Sequence, residues 1–142
     1  MKKIFFLASV ILVGSCILQI GFVFSGPPAK TDKVIAYYFH GVFRCSTCHK
    51  LEEYSKEAIE ANFKDELNSD KLEFITVNIE HRENKHFVSD YQLYTKSLIL
   101  SLVKDGKEIK SKNLTKIWEY VGDKQKFIDY VRDEISVFLK EL

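Results

Sequence analysis

From Ile4 to Phe24 the chain carries no charged side chain, and only Ser9, Gly14, Ser15, Gln19 and Gly21 interrupt its apolar character. A helix over those 21 residues is about 31 Å long, enough to cross the hydrocarbon core of a bilayer. A chain of 142 residues has little interior in which to hide such a run. The run therefore divides the molecule. Residues 1–26 read as a signal or membrane-anchor segment, 27–33 as a linker opened by the helix-breaking Gly26-Pro27-Pro28, and 34–142 as one domain. Lys2-Lys3 ahead of the run orients the N-terminus inside and everything after Ser25 outside.

Three fates fit the leader. A retained anchor is the expected one, because the run is longer than the apolar region of a signal peptide. Leu12-Val13-Gly14-Ser15-Cys16 has the form of a bacterial lipoprotein box, which makes Cys16 a candidate lipidation site, although Ile17-Leu18 is an atypical start for a mature lipoprotein. Cleavage near Ser25 is the third. Each delivers the remaining chain outside the cytoplasm. The expectation is a single-pass protein of a bacterial cell membrane, N-terminus in, with its domain on the periplasmic side.

Charge narrows the partners. The formal net charge is +1, and setting aside Lys2 and Lys3 leaves the exported part near −1. This is not the basic footprint of a nucleic-acid binder, so none is expected as a partner. With six glycines and two prolines the chain is no low-complexity polymer, and three cysteines are too few for a disulfide-framework fold.

The exported part alternates strand and helix signals. Val34 to His40 is β-branched and aromatic, the pattern of a buried strand. Cys48 to Phe63 places Leu51, Tyr54, Ala58 and Phe63 near one helical face. Lys71 to Ile79 reads as a second, mostly buried strand, and Asn84 as the cap of a short helix carrying Phe87, Val88 and Tyr91. Ser97 to Val103 is a third strand, and Asp105-Gly106 a hairpin turn into Glu108 to Lys110. A short helical turn around Ile117, Tyr120 and Val121 stops at Gly122, and Asp123 caps a last helix whose apolar side runs from Phe127 to Leu142. The order β-α-β-α-β-β-α predicts an α/β domain of three layers, α/β/α, in which alternating units give parallel strands, the hairpin makes the sheet mixed, and helices cover both faces.

Cys45-Ser46-Thr47-Cys48 falls where the first strand gives way to the first helix. Two intervening residues put the sulfurs about one helical turn apart, near disulfide distance. The free N–H groups and positive dipole end of a helix N-terminus favour thiolate over thiol, and Arg44 adds a positive charge. Cys45 at the helix mouth is thus the expected nucleophile and Cys48, one turn inside, the resolving thiol. Exchange would pass through a mixed disulfide on Cys45 that Cys48 displaces. His49 is an auxiliary candidate beside the pair.

The stretch F-H-G-V-F-R-C-S-T-C-H-K, in this element order, resembles a thioredoxin-like domain. More narrowly, R-C-S-T-C-H-K-L-E-E-Y-S-K-E-A-I, D-Y-Q-L-Y-T-K-S-L-I-L and K-D-G-K are together similar to a family of nitrophenyl compound nitroreductase subunits, the ArsF family, over nearly all of Val34 to Leu142. The resemblance implies a thioredoxin-like fold, and for function a thiol redox subunit of a reductase. No Gly-rich dinucleotide fingerprint and no flavin domain accompany it, so such a chain would relay electrons through its dithiol to a protein redox partner at the same membrane. A redox-active disulfide, with no bound cofactor, is the expected working group. Two departures stand out: Ser46-Thr47 replaces the Gly-Pro that thioredoxins carry between the cysteines, and the proline that precedes their third strand is absent from Tyr94-Thr95-Lys96-Ser97-Leu98.

The same residues have rival readings. Cys45, Cys48 and His40 could hold a soft metal ion such as copper, zinc or arsenite, which makes a metal-binding or partner-binding module the alternative function. Cys45-Ser46-Thr47-Cys48-His49 also fits the haem c attachment pattern, with His40, His81 or His86 as further ligand, but small haem domains are usually helical. Glu52, Glu53, His81 and His86 read as solvated charges, and Trp118 as a side chain packed on the core.

Overall fold

The structure, a computed structural model, describes residues 31–142. The anchor segment, Cys16 and most of the 27–33 linker lie outside the described residues. Within them no helix is long and apolar enough to cross a membrane.

Four strands form one sheet: β1 (Lys33–His40), β2 (Leu72–Asn78), β3 (Ser97–Lys104) and β4 (Lys107–Asn113), in the order β2-β1-β3-β4. The helices are α1 (Ser46–Asn62), α2 (Lys64–Asn68), α3 (His86–Asp90), α4 (Ile117–Tyr120) and α5 (Lys124–Leu139). β1 is central and buried on both faces, as its unbroken apolar run predicts. On one face Val34, Ala36 and Tyr38 meet Leu98, Leu100 and Leu102 of β3 under α1 and α5, which supply Leu51, Ile59, Phe127, Val131 and Ile135. On the other, Phe39, Val77, Leu93 and Ile99 pack beneath Phe87 of α3 and Tyr91 just beyond it. The layers are therefore α/β/α.

β1 and β2 are parallel, as expected of a β-α-β unit, but β3 runs antiparallel to β1 and not only to β4. A parallel return normally runs through a helix packed along the sheet for the length of the strand. The β2–β3 connection offers one 3-10 turn, Arg82–Asn84, and the five residues of α3. The chain consequently enters β3 at the pole where it left β2. Asp105 and Gly106 both adopt positive φ, 52° and 73°, the backbone of the two-residue hairpin expected there.

Three further expectations are corrected. Asn84 does not cap α3: Lys85 precedes that helix without a side-chain bond, and Asn84 Nδ2 donates to the Asn78 carbonyl instead. β2 is an edge strand in which only Leu72 and Val77 are buried. β4 extends to Asn113 and is exposed at every residue. Asp123, by contrast, caps α5 as its sequence position suggests, Oδ1 accepting the Lys126 N–H at 3.1 Å.

Candidate functional site

The strand's apolar run ends at His40, and Gly41 to Arg44 carries the chain over the end of the sheet into α1. Cys45 is the N-cap of that helix, in extended conformation (φ −80°, ψ 168°), and its Sγ accepts the N–H of Cys48 at 3.2 Å. A cysteine sulfur thus occupies the place where an Asp or Ser oxygen more often satisfies a first-turn amide. Cys45 and Cys48 are joined as a disulfide with Cα atoms 5.0 Å apart. Cys45 is half-buried, and Cys48 is 2% exposed.

Below the pair, Tyr38 on the central strand donates its hydroxyl to the Cys48 carbonyl at 2.8 Å. This ties the first turn of α1 to the middle of the sheet. Burial pushes the Tyr38 phenol up to about 12, against an opposing pull from the Arg44 guanidinium. A phenol held neutral in the fold contributes its full stabilisation below the unfolded value near 10 and loses it as pH rises through about 12. Stability is therefore expected to fall from about pH 10 upward, and Tyr38→Phe, which cannot ionise, to flatten that limb. Tyr130, also raised to about 12 chiefly by burial, leaves part of the slope in place. Denaturant unfolding of both proteins from about pH 8 to pH 12 measures the difference, about 2 kcal/mol between them at the alkaline end.

Arg44 is at the site but not as a free charge. Its guanidinium forms an ion pair with Glu52, one helical turn beyond Cys48, and each side chain is only 24% exposed. The expectation that Glu52 is a solvated charge is thus corrected; Glu53 is exposed as expected. The i, i+4 spacing of Cys48 and Glu52 was the available signal, since it places both on one helical face.

The histidines do not gather round the sulfurs. His49 is exposed on α1, and His40 Nδ1–H donates to the Gly41 carbonyl at 2.8 Å. His81 and His86 are exposed in the β2–α3 region. Among the described residues no group of three or more His, Cys, Asp or Glu side chains is placed to hold a metal ion. Trp118 corrects another expectation: it is 38% exposed, and its indole N–H donates to the Lys96 carbonyl at 3.0 Å, in the loop before β3.

Around the end of the sheet stand side chains that sequence reasoning missed. Val42 is 68% exposed, Phe43 76% and Tyr94 94%. Beside Tyr94 runs a cleft of about 150 Å³ lined by His40, Gly41, Ile79, Glu80, Leu93 and the Tyr94-Thr95-Lys96 loop. No periodicity marks these residues, because loop side chains left in water obey none.

Strand order, a parallel β1–β2 pair, antiparallel β3 and β4, and a Cys-x-x-Cys disulfide at the mouth of α1 define a thioredoxin-like α/β domain. No protein-family model and no curated relative matches the chain. Among solved structures it is similar to the thioredoxin of Fasciola hepatica, with 22% identity over 63% of this chain and 79% of that one and a TM-score of 0.37. It is likewise similar to the reduced thioredoxin pre-protein of Schistosoma mansoni, at 16% identity over 69% and 82% with a TM-score of 0.41. A thioredoxin from Thermus thermophilus shares 11% identity over 63% and 72% with a TM-score of 0.37. At such scores the superpositions add nothing to the class, which stands on topology and the place of the cysteines.

Proposed function

We propose that this chain is a thiol–disulfide redox protein that exchanges its Cys45–Cys48 disulfide with a protein partner outside the cytoplasm, held at a membrane by residues 4–24. The observation that carries the reading is the disulfide at the α1 N-terminus, one sulfur half-buried and the other buried. A helix N-terminus stabilises the thiolate that exchange requires.

In the reduced protein, the Cys45 thiolate attacks one sulfur of a partner disulfide. A Cys45–partner disulfide forms, and the partner's other sulfur leaves as a thiolate that takes a proton from water. Cys48 then gives up its proton and attacks Cys45 Sγ, closing the intramolecular disulfide and releasing the second partner thiol. Two electrons pass from the protein dithiol to the partner disulfide, and the reverse sequence oxidises a partner dithiol. The exposed Val42 and Phe43 just ahead of the pair, with Tyr94 at the same end of the sheet, suit a polypeptide rather than a small polar substrate. In the narrower form that the sequence resemblance suggests, the partner is a membrane-associated reductase and this chain its thiol relay.

Trapping tests the reading. A Cys48→Ser variant of the full chain, expressed in its native cell, is expected to accumulate adducts on Cys45 that disappear with dithiothreitol and are absent from the Cys45→Ser/Cys48→Ser control. Absence of adducts, together with failure of the wild-type protein to reduce insulin in the presence of dithiothreitol, would overturn it.

A further inference from the structure

We infer that Glu80 is a positioning residue for this site: it holds the Gly41–Phe43 segment so that the exposed apolar side chains beside Cys45 meet a polypeptide partner in a fixed pose. The inference rests on the exchange reading above.

Beyond β2 the chain makes a turn held by several hydrogen bonds. Ile79 N–H donates to the His40 carbonyl at 2.9 Å, Glu80 N–H to Asn78 Oδ1 at 3.0 Å, and Asn84 Nδ2 to the Asn78 carbonyl at 2.9 Å. With its backbone so fixed, Glu80 sends its carboxylate across to the dithiol loop, where Oε1 accepts the Val42 N–H at 2.9 Å. Gly41 makes this approach feasible. Its φ is not positive; what the contact requires is space, because a Cβ built on Gly41 would fall on Glu80 Oε1. Val42 and Phe43 stand in water and have no packing to hold them. A hydrogen bond from a preorganised turn therefore supplies the order that packing does not.

A small reagent attacking Cys45 needs no such order; a polypeptide laid across Val42 and Phe43 does. The test compares two oxidants on the reduced full-length protein: neutral 4,4′-dithiodipyridine, and an apolar peptide carrying the same thiopyridyl mixed disulfide. Glu80→Ala is expected to lower the peptide-to-small-reagent rate ratio about fivefold, the worth of one net hydrogen bond. Glu80→Gln, which loses the same charge but keeps an acceptor oxygen, is expected to stay within about twofold of wild type. Gly41→Ala is expected to mimic Glu80→Ala, and the double variant to be no worse than either single one. An unchanged ratio in Glu80→Ala, or an equal fall in Glu80→Gln, overturns the inference alone. A wild-type protein with no preference for the peptide overturns both it and the polypeptide reading on which it rests.

Discussion

Replacing Cys45 with Ala is expected to abolish disulfide exchange, a loss on the order of 10³-fold or more, whereas Cys48→Ala leaves the first attack intact and stops only the release. The asymmetry comes from where the helix begins. Cys45 sits outside the first turn and is half-buried; Cys48 lies one turn in, 2% exposed, with its carbonyl bound by Tyr38. An incoming sulfur reaches the first and not the second. Both variants should remain folded: a bridge between residues three apart closes a very short loop, worth about 2 kcal/mol by the chain-entropy account. Stopped-flow reaction of each reduced variant with 4,4′-dithiodipyridine decides the matter. Rapid reaction of Cys45→Ala and none of Cys48→Ala would reverse the two roles.

The largest effect on stability is expected at Phe127. Phe127→Ala should cost about 3–5 kcal/mol and lower Tm by about 15 °C or more. The ring is fully buried on α5, under the sheet face that also receives α1, and meets Tyr54 of α1 edge-on with centroids 5.6 Å apart. Its loss opens a cavity at the contact between the two long helices, and a domain of this size has only about 5–15 kcal/mol in total. Val137→Ala is the matched control: it lies on the same helix but is 51% exposed, so its cost should stay within about 0.5 kcal/mol. Thermal unfolding of the three proteins checks the order, and a Phe127→Ala protein as stable as the control would contradict this account of the core.

Features set by neighbours in the chain were legible. The buried run of β1 shows as six apolar and aromatic residues, the hairpin as Asp105-Gly106, the start of α5 as Asp123 before an amphipathic stretch, and the dithiol as two cysteines at a strand–helix junction. What escaped involves partners distant in sequence. Glu80 meets Val42 across 38 positions, and nothing local distinguishes it from other charged loop residues. The direction of β3 depends on how little helix lies in the 79–96 connection. Asn84 misled because a good capping residue is equally good at tying a turn. The leader-dependent expectations of anchoring, lipidation at Cys16 and export concern residues outside those described.

The register also sets a polarity on which neither chemistry nor stability depends. Phe39 pairs with Ser97 at one end of the sheet and Lys33 with Val103 at the other, and Asp32 Oδ1 accepts the Asp105 N–H at 3.0 Å. The chain therefore enters β1 at the same pole as the Asp105-Gly106 turn, about 23 Å of strand from the dithiol. An attachment made through the N-terminal side would join the described domain at the pole opposite its cysteines. The same turn, exposed and remote from the disulfide, is a natural place to insert a label or affinity tag without shading the reactive end.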